Sequence, residues 1–210
     1  MAAHWYFDFI SPFAYLQLPK MLALRERLDI VPVPIAFGAV LAHHGQLGPA
    51  EIRGKREFSY RFVQWQAERD GITLRFPPAH PFNPLAALRL CIAAGSTWEA
   101  VCAIYQHLWR DGLTGDSAEA LLPVAETLGV GNVATLIGSD AVKAQLRANT
   151  DAALAAGVYG VPTVELEDGS LFWGNDATPM LTQYLADPAR FAQGEYARVT
   201  QLPVGVARTR

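Results

Sequence analysis

The 210-residue sequence predicts an α/β fold in which a βαβ unit and a ββα unit at opposite ends of the chain share one four-stranded mixed sheet. Three observations lead there. An aromatic run, His4-Trp5-Tyr6-Phe7-Asp8-Phe9-Ile10, stops at Ser11-Pro12 and gives way to leucines at helical spacing. Near the other end, Thr163 to Glu167 and Ser170 to Trp173 flank Glu167-Asp168-Gly169 and precede another helical stretch. Between the two, roughly residues 50 to 156 carry helical patterns, with no strand pattern of comparable strength.

Taken in order, His4 to Ile10 is short and aromatic-rich, as a central strand should be. Ser11 can cap the next helix and Pro12 suits its first position, where an amide would have no partner in any case. Leu16, Leu18, Met21, Leu22, Leu24 and Leu28 supply apolar faces to about residue 28. Ile30 to Phe37 alternates as a second strand, and Pro32 and Pro34, which cannot donate to a ladder, put it at an edge. Helices are expected over residues 50 to 70, 84 to 94, 97 to 111, 117 to 128 and 139 to 156, punctuated by Pro and Gly. The Asp168-Gly169 hairpin then leads into a helix from about Thr178 to Leu185. The expected organisation is a sheet domain of residues 1–38 and 157–187, a helical insertion of residues 39–156, and an extension of residues 188–210. The insertion is expected to pack as a separate lobe, with the pocket in the crevice between lobe and sheet. The extension, which ends in Arg208 and Arg210, is compatible with wrapping the domain or with loose order.

Hydrophobic residues make up 51% and charged residues 18%, enough apolar surface for one sizeable core. A formal net charge of -3, with no stretch where basic residues alternate with aromatics, speaks against a nucleic-acid partner. No apolar run approaches the ~18 residues of a membrane span. Met1-Ala2-Ala3-His4 carries no basic segment or cleavage site, so the expected location is the cytoplasm. Cys91 and Cys102 lie in apolar helical surroundings and read as buried, reduced thiols. The five histidines show no ligand spacing with them or with each other, and no metal site is expected.

The order of units is that of a thioredoxin-like fold, whose first helix commonly opens on Cys-x-x-Cys beside a later cis proline. Here those cysteine positions hold Ser11 and Ala14. Disulfide exchange needs one thiolate to attack and a second thiol to resolve the mixed disulfide, so that chemistry is excluded and any sulfur must arrive with a ligand. Ser11 can act purely as a cap. At a helix start, however, free amides and the dipole stabilise a thiolate, and a hydroxyl adds one more donor. With no evident base to activate it as a nucleophile, Ser11 reads as that donor.

Pro162 can simply end a helix, whereas a cis Val161-Pro162 bond would leave the amide and carbonyl of Val161 as strand-like partners for an extended peptide. In Trp173-Gly174-Asn175-Asp176, Asn175 or Asp176 can cap the last helix or offer a carboxylate to an α-ammonium group. His43-His44-Gly45 and His80-Pro81-Phe82-Asn83-Pro84 read either as solvent-facing loops or as the pocket's other wall. In the second case His80 and Asn83 would orient a phenol or carboxylate, and Lys55 would pair with an anion. Arg53, Arg56 and Arg61 read as a solvated basic face.

Three motifs in order, Phe7-Asp8-Phe9-Ile10-Ser11-Pro12-Phe13-Ala14-Tyr15, Gly157-Val158-Tyr159-Gly160-Val161-Pro162-Thr163 and Phe172-Trp173-Gly174-Asn175-Asp176, carry a family resemblance. The chain resembles the 2-hydroxychromene-2-carboxylate isomerases, relatives of kappa-class glutathione transferases in the Dsb-like branch of thioredoxin folds, over about residues 4 to 186. The resemblance implies glutathione as cofactor and a small aromatic or bicyclic carboxylate as substrate, handled by cis-trans isomerisation of the hydroxychromene or hydroxybenzylidenepyruvate type. It implies that Ser11 contacts the glutathione sulfur, that Val161 and Pro162 clamp the tripeptide backbone, and that Trp173, Gly174, Asn175 and Asp176 hold its γ-glutamyl end. A homodimer and a cytoplasmic setting are implied as well. The alternatives are a kappa-like transferase that conjugates or reduces small electrophiles and a non-catalytic module that binds a thiol ligand. The better-known isomerases carry a Lys, a Tyr three residues later and then Arg-Asp in the helix after the second strand. Here Lys55 is followed by Phe58, the acid is absent, and Ala177 follows Asp176 where Arg is frequent.

Overall fold

The computed structural model describes residues 2–206. Strand β1 (Ala2–Phe7), helix α1 (Pro12–Leu24) and strand β2 (Asp29–Pro34) form the first unit. Helices α2 (Phe37–His43), α3 (Arg53–Arg69), α4 (Leu85–Ala93), α5 (Trp98–Tyr105), α6 (Leu122–Thr127), α7 (Val133–Gly138) and α8 (Asp140–Ala155) follow. The chain returns through β3 (Thr163–Leu166), β4 (Leu171–Trp173), α9 (Thr178–Ala186) and α10 (Gly194–Val199). Strand order is β2-β1-β3-β4, with β1 and β2 parallel and the other pairs antiparallel, the mixed sheet of a thioredoxin-like fold.

Local chemistry accounts for the boundaries. Ser11 caps α1 by accepting from Ala14 N at 3.3 Å, and Pro12 occupies its first turn. The prolines of β2 sit on the sheet edge, Pro32 opposite Trp5 and Pro34 opposite Phe7. β1 ends at Phe7, three residues before the expected Ile10, because the Asp8 carboxylate takes the Ile10 amide at 3.1 Å and bends the chain. α1 ends at Leu24 where residues to about 28 were expected. Leu28 N still donates to Leu24 O at 3.0 Å and its side chain is buried. The short helices α2, α7 and α10 were not anticipated. α2 buries only Val40, α7 only Val133, and α10 no residue, so none has a periodic apolar face to read. The extension folds onto α9 through Phe191, whose ring lies 5.3 Å from Tyr184 and 4.8 Å from Tyr196. Arg208 and Arg210 lie outside the described residues.

The helical insertion is not a separate lobe. Trp5, Phe7 and Phe9 share one continuous core with Leu88, Trp98, Ile104, Tyr105 and Trp109. The reason is the aromatic load on β1: Trp5 stacks on Phe7 at 4.6 Å and on Trp98 at 5.6 Å, and such large rings need cover from another layer. Polar ties run alongside. Tyr105 Oη donates to Asp8 O at 3.1 Å, Trp109 Nε1 to Phe9 O at 2.8 Å, and His80 Nε2 to Ile10 O at 2.8 Å. Among the described residues no helix is long and apolar enough to cross a membrane, and no three His, Cys, Asp or Glu are grouped to hold a metal ion.

Gln17, buried in α1, knots the two ends of the sheet domain together. Its Oε1 accepts from Trp5 Nε1 at 2.8 Å, while its Nε2 donates to Gly174 O at 3.0 Å and to Thr178 Oγ1 at 3.1 Å. Gln17→Leu leaves a buried indole N–H and a carbonyl unpaired at a cost of about 3 kcal/mol. Thermal unfolding followed by circular dichroism should show a midpoint lower by about 6 to 12 °C; an unchanged midpoint would mean the knot carries no stability.

Candidate active site

A cavity of about 580 Å³ opens above the start of α1. Its floor is the turn from Asp8 to Phe13, and its walls come from the beginning of α2, the segment from Gln46 to Glu51, Lys55 and Tyr60 of α3, the stretch around His80, and Tyr159 to Val161 with Trp173. Sheet, insertion and return loop thus converge on Ser11. No residue lining the cavity carries sulfur. The two free cysteines lie elsewhere, and burial pushes the Cys91 thiol up to about 12.

Ser11 is almost fully buried, and its cap uses an oxygen lone pair to accept from Ala14 N. Its O–H proton stays available to a ligand, so capping and donating are compatible roles. No activating base reaches it. The Asp8 carboxylate, in the same turn, spends Oδ1 on Ile10 N at 3.1 Å and Oδ2 on Phe37 N at 2.9 Å. Asp8 is fully buried, and burial pushes its pKa up to about 7 against the lowering effect of those amides.

The Val161-Pro162 bond is cis. Among the described residues, neither the amide nor the carbonyl of Val161 has a hydrogen-bond partner, and Val161 lines the cavity. Beside it, Gly160 underlies the Trp173 indole so closely that a Cβ there would collide with the ring nitrogen. Trp173 keeps half its surface exposed and forms part of the wall. Lys55 also lines the cavity.

Tyr60 and His80 form a pair in the wall. Tyr60 Oη lies 2.6 Å from His80 Nδ1 and 2.8 Å from His80 O, and the two rings meet edge to face at 5.3 Å. Ile10 O can only accept, so His80 Nε2 carries the proton; in the neutral ring Nδ1 is bare and accepts the phenol's proton. Burial holds the His80 pKa below the usual histidine value.

Other expected positions fall outside the wall. His43, at the end of α2, is exposed and edge-on to His44, whose Nε2 lies 3.3 Å from Val158 O, and neither lines the cavity. Asn83 is exposed and its Oδ1 accepts from Leu85 N at 3.1 Å, the helix-start role, which removes it from the substrate wall. Asn175 is buried, with Lys20 Nζ donating to its Oδ1 at 2.8 Å, and Pro162 O accepts from Gly174 N at 2.8 Å. Both contacts are structural. Asp176 is exposed, three residues past Trp173, and like Gly174 does not line the cavity.

Asp8 and Tyr60 were not singled out from the sequence. A lone carboxylate inside an aromatic strand was the available signal for Asp8. For Tyr60 it was position on α3: Phe58, two residues earlier, is 66% exposed, whereas Tyr60 turns inward.

Comparison with known proteins follows the same outline. The DSBA-like thioredoxin domain family matches residues 4–186. A 2-hydroxychromene-2-carboxylate isomerase of Sphingobium xenophagum is 30% identical over 192 residues, covering 87% of this chain and 97% of that protein. The solved structure of a 2-hydroxychromene-2-carboxylate isomerase superposes with a TM-score of 0.78 at 26% identity, over 95% of this chain and 99% of that one. Glutathione S-transferase kappa 2 of Caenorhabditis elegans is 25% identical over 205 residues, covering 88% and 91% respectively.

Asp8 generates a pH prediction. Its folded-state pKa of about 7 lies above the ordinary carboxyl value, so between pH ~4 and ~7 the folded chain binds more protons than the unfolded one. Its contribution to stability therefore falls as pH rises through that window, by a few kcal/mol in all. The Asp8 carboxyl carbon, followed by NMR, should titrate near pH 7; a midpoint near 4 would mean that the amides outweigh burial.

Proposed function

Because the chain belongs to the 2-hydroxychromene-2-carboxylate isomerase family within the DSBA-like thioredoxin domains, we propose that it is an isomerase that uses glutathione at the cavity above Ser11. One observation carries this reading: a sulfur-free helix start whose serine keeps a free O–H, facing a cavity that also holds an unpartnered peptide edge at Val161. Those groups suit a thiol tripeptide. The Val161 amide and carbonyl can pair with its backbone as a short strand, and the Ser11 hydroxyl with the α1 amino terminus can receive its sulfur. Asp176, exposed beyond Trp173, would meet an ammonium group on a ligand that extends out of the cavity.

When bound, glutathione would supply a thiolate, a reversible nucleophile through which a conjugated double bond could gain the single-bond character needed to rotate. The chain's own work is to ionise, hold and enclose. Ser11 donates to the sulfur. Lys55 pairs with the substrate carboxylate. Trp173, Phe13 and Phe82 exclude water around the reacting carbon. A homodimer and a cytoplasmic setting belong to the same reading through the family resemblance.

The likeness to a kappa transferase supports a second reading, in which glutathione is consumed. Counting glutathione before and after incubation with 2-hydroxychromene-2-carboxylate separates the two. Turnover with no loss of thiol is expected, and stoichiometric loss would favour the transferase.

Two substitutions test the site. A hydrogen bond to a charged group is worth about 1.5 to 3 kcal/mol, or one to two pKa units. Ser11→Ala should therefore raise the pH at which the bound thiol ionises by about one to two units and lower turnover at neutral pH, with glutathione affinity kept within about tenfold. An unchanged pH–rate profile would reduce Ser11 to a cap. Asp176→Ala should weaken glutathione binding by about tenfold in calorimetric titration, and equal affinity would free the γ-glutamyl end from Asp176.

A further inference from the structure

We propose that Tyr60 and His80 form a proton relay that opens the substrate's ring, a step that precedes the double-bond rotation and needs no thiol. The substrate's identity, its anchoring at Lys55 and the glutathione-binding control rest on the isomerase reading above.

The geometry points to a relay on three counts. First, the basic atom is set: Ile10 O takes the Nε2 proton, so Nδ1 is bare and lies 2.6 Å from Tyr60 Oη. The phenol's own proton is committed to His80, by Nδ1 or by the carbonyl at 2.8 Å, and its oxygen lone pairs remain to accept from the cavity. Second, both residues line the cavity that holds Ser11 and Lys55, so a bicyclic carboxylate anchored at Lys55 lies within the same enclosure. Third, His80 is boxed by the edge-on rings of Phe76, Phe82 and Trp109 at 6.0, 6.1 and 5.5 Å, which holds the imidazole plane. Burial keeps the ring neutral near pH 7, the state in which it can accept a proton. A structural hydrogen bond alone would explain one of these contacts. It does not explain a base held in one tautomer behind a phenol that faces the cavity.

The chemistry that such a pair suits is written in the substrate. A 2-hydroxychromene-2-carboxylate carries a hydroxyl and the ring oxygen on the same carbon and is therefore a hemiketal. Ring opening moves one proton from that hydroxyl to the ring oxygen. In the relay, the hemiketal O–H gives its proton to Tyr60 Oη while the Tyr60 proton passes to His80 Nδ1. The C2–OH bond becomes a carbonyl, the bond from C2 to the ring oxygen breaks, and its electron pair leaves on that oxygen as a phenolate. Tyr60 then protonates the phenolate and recovers its proton from His80. Atoms and charge balance, no co-reactant is consumed, and the product is the open hydroxybenzylidenepyruvate, whose double bond is then free to be isomerised. Tyr60 is the catalytic residue of this step, and His80 is a positioning residue that acts through it.

Because no thiol is involved, the step can be watched alone. Exchange between ring-closed and ring-opened forms of 2-hydroxychromene-2-carboxylate can be followed by magnetisation-transfer NMR with intact protein and no glutathione. The native protein should accelerate that exchange above the buffer rate, Tyr60→Phe should lose about a hundredfold of the acceleration, and His80→Gln should lose a comparable part. Glutathione binding measured by calorimetry should stay within about threefold in both variants, which guards against a folding defect. No acceleration by the native protein, or equal acceleration by Tyr60→Phe and His80→Gln, would overturn the relay. Ring exchange that responds as expected in a protein without glutathione-dependent turnover would leave the relay standing and overturn the isomerase reading instead.

Discussion

The structure turns on three consecutive backbone carbonyls. After Phe7 the chain leaves the sheet, and Asp8, Phe9 and Ile10 bend toward the start of α1 inside the core, where no neighbouring strand can pair with them. Buried carbonyls without partners cost about 1 to 3 kcal/mol each. Tyr105, Trp109 and His80 supply the donors, and for Phe9 and Ile10 they are the sole donors among the described residues. All three come from the helical insertion. The insertion therefore completes the turn that places Ser11, and a sheet domain without it would leave the Phe9 and Ile10 carbonyls unpaired.

That dependence explains why the core is continuous. The rings that bring these donors also cover the aromatic face of β1: Tyr105 lies 4.7 Å from Phe9 and 5.9 Å from Phe7, and Trp98 stacks on Trp5. Burial and hydrogen bonding reinforce each other at the same residues, which favours one arrangement of insertion against sheet. The cavity wall inherits that rigidity, because His80 is at once a donor to the turn and a lining residue.

Much of this was legible in the sequence, for physical reasons that differ by element. Ser11-Pro12 reads as a helix start because capping is local, and the prolines of β2 read as an edge because a missing donor is intolerable elsewhere. The hairpin and α9 follow from turn chemistry. What could not be read depends on tertiary contact. α2 and α7 each bury one side chain, so no periodicity marks them. Shared packing between sheet and insertion is invisible until Trp98 and Trp109 are placed against β1. At the site, Ser11, Val161, Trp173, Lys55 and His80 reach the cavity, whereas His43, His44 and Asn83 satisfy nearby backbone or face solvent. Histidine in a loop reads the same either way. Tyr60 was masked by its neighbour Phe58, because only helix phase shows which ring turns inward.

Magnitudes decide how the site must divide its labour. A thiol of pKa about 8.5 is roughly 3% ionised at pH 7, and lowering that value by about two units raises the fraction to about 75%, a gain of about 25-fold. Nucleophilicity falls with pKa at a slope near 0.45, which removes roughly eightfold. In the proposed glutathione reaction, Ser11 and the helix start together would thus provide only about threefold at the sulfur, too little for an enzyme. The remainder has to come from confinement, since holding two reactants in register can lower a barrier by several kcal/mol. Confinement of that quality needs walls that do not move, and the stretch of wall around His80 is tied to the same turn that carries the serine. The tie from Ile10 to His80 therefore does two things: it satisfies a buried carbonyl, and it fixes one part of the cavity wall relative to the turn that carries Ser11.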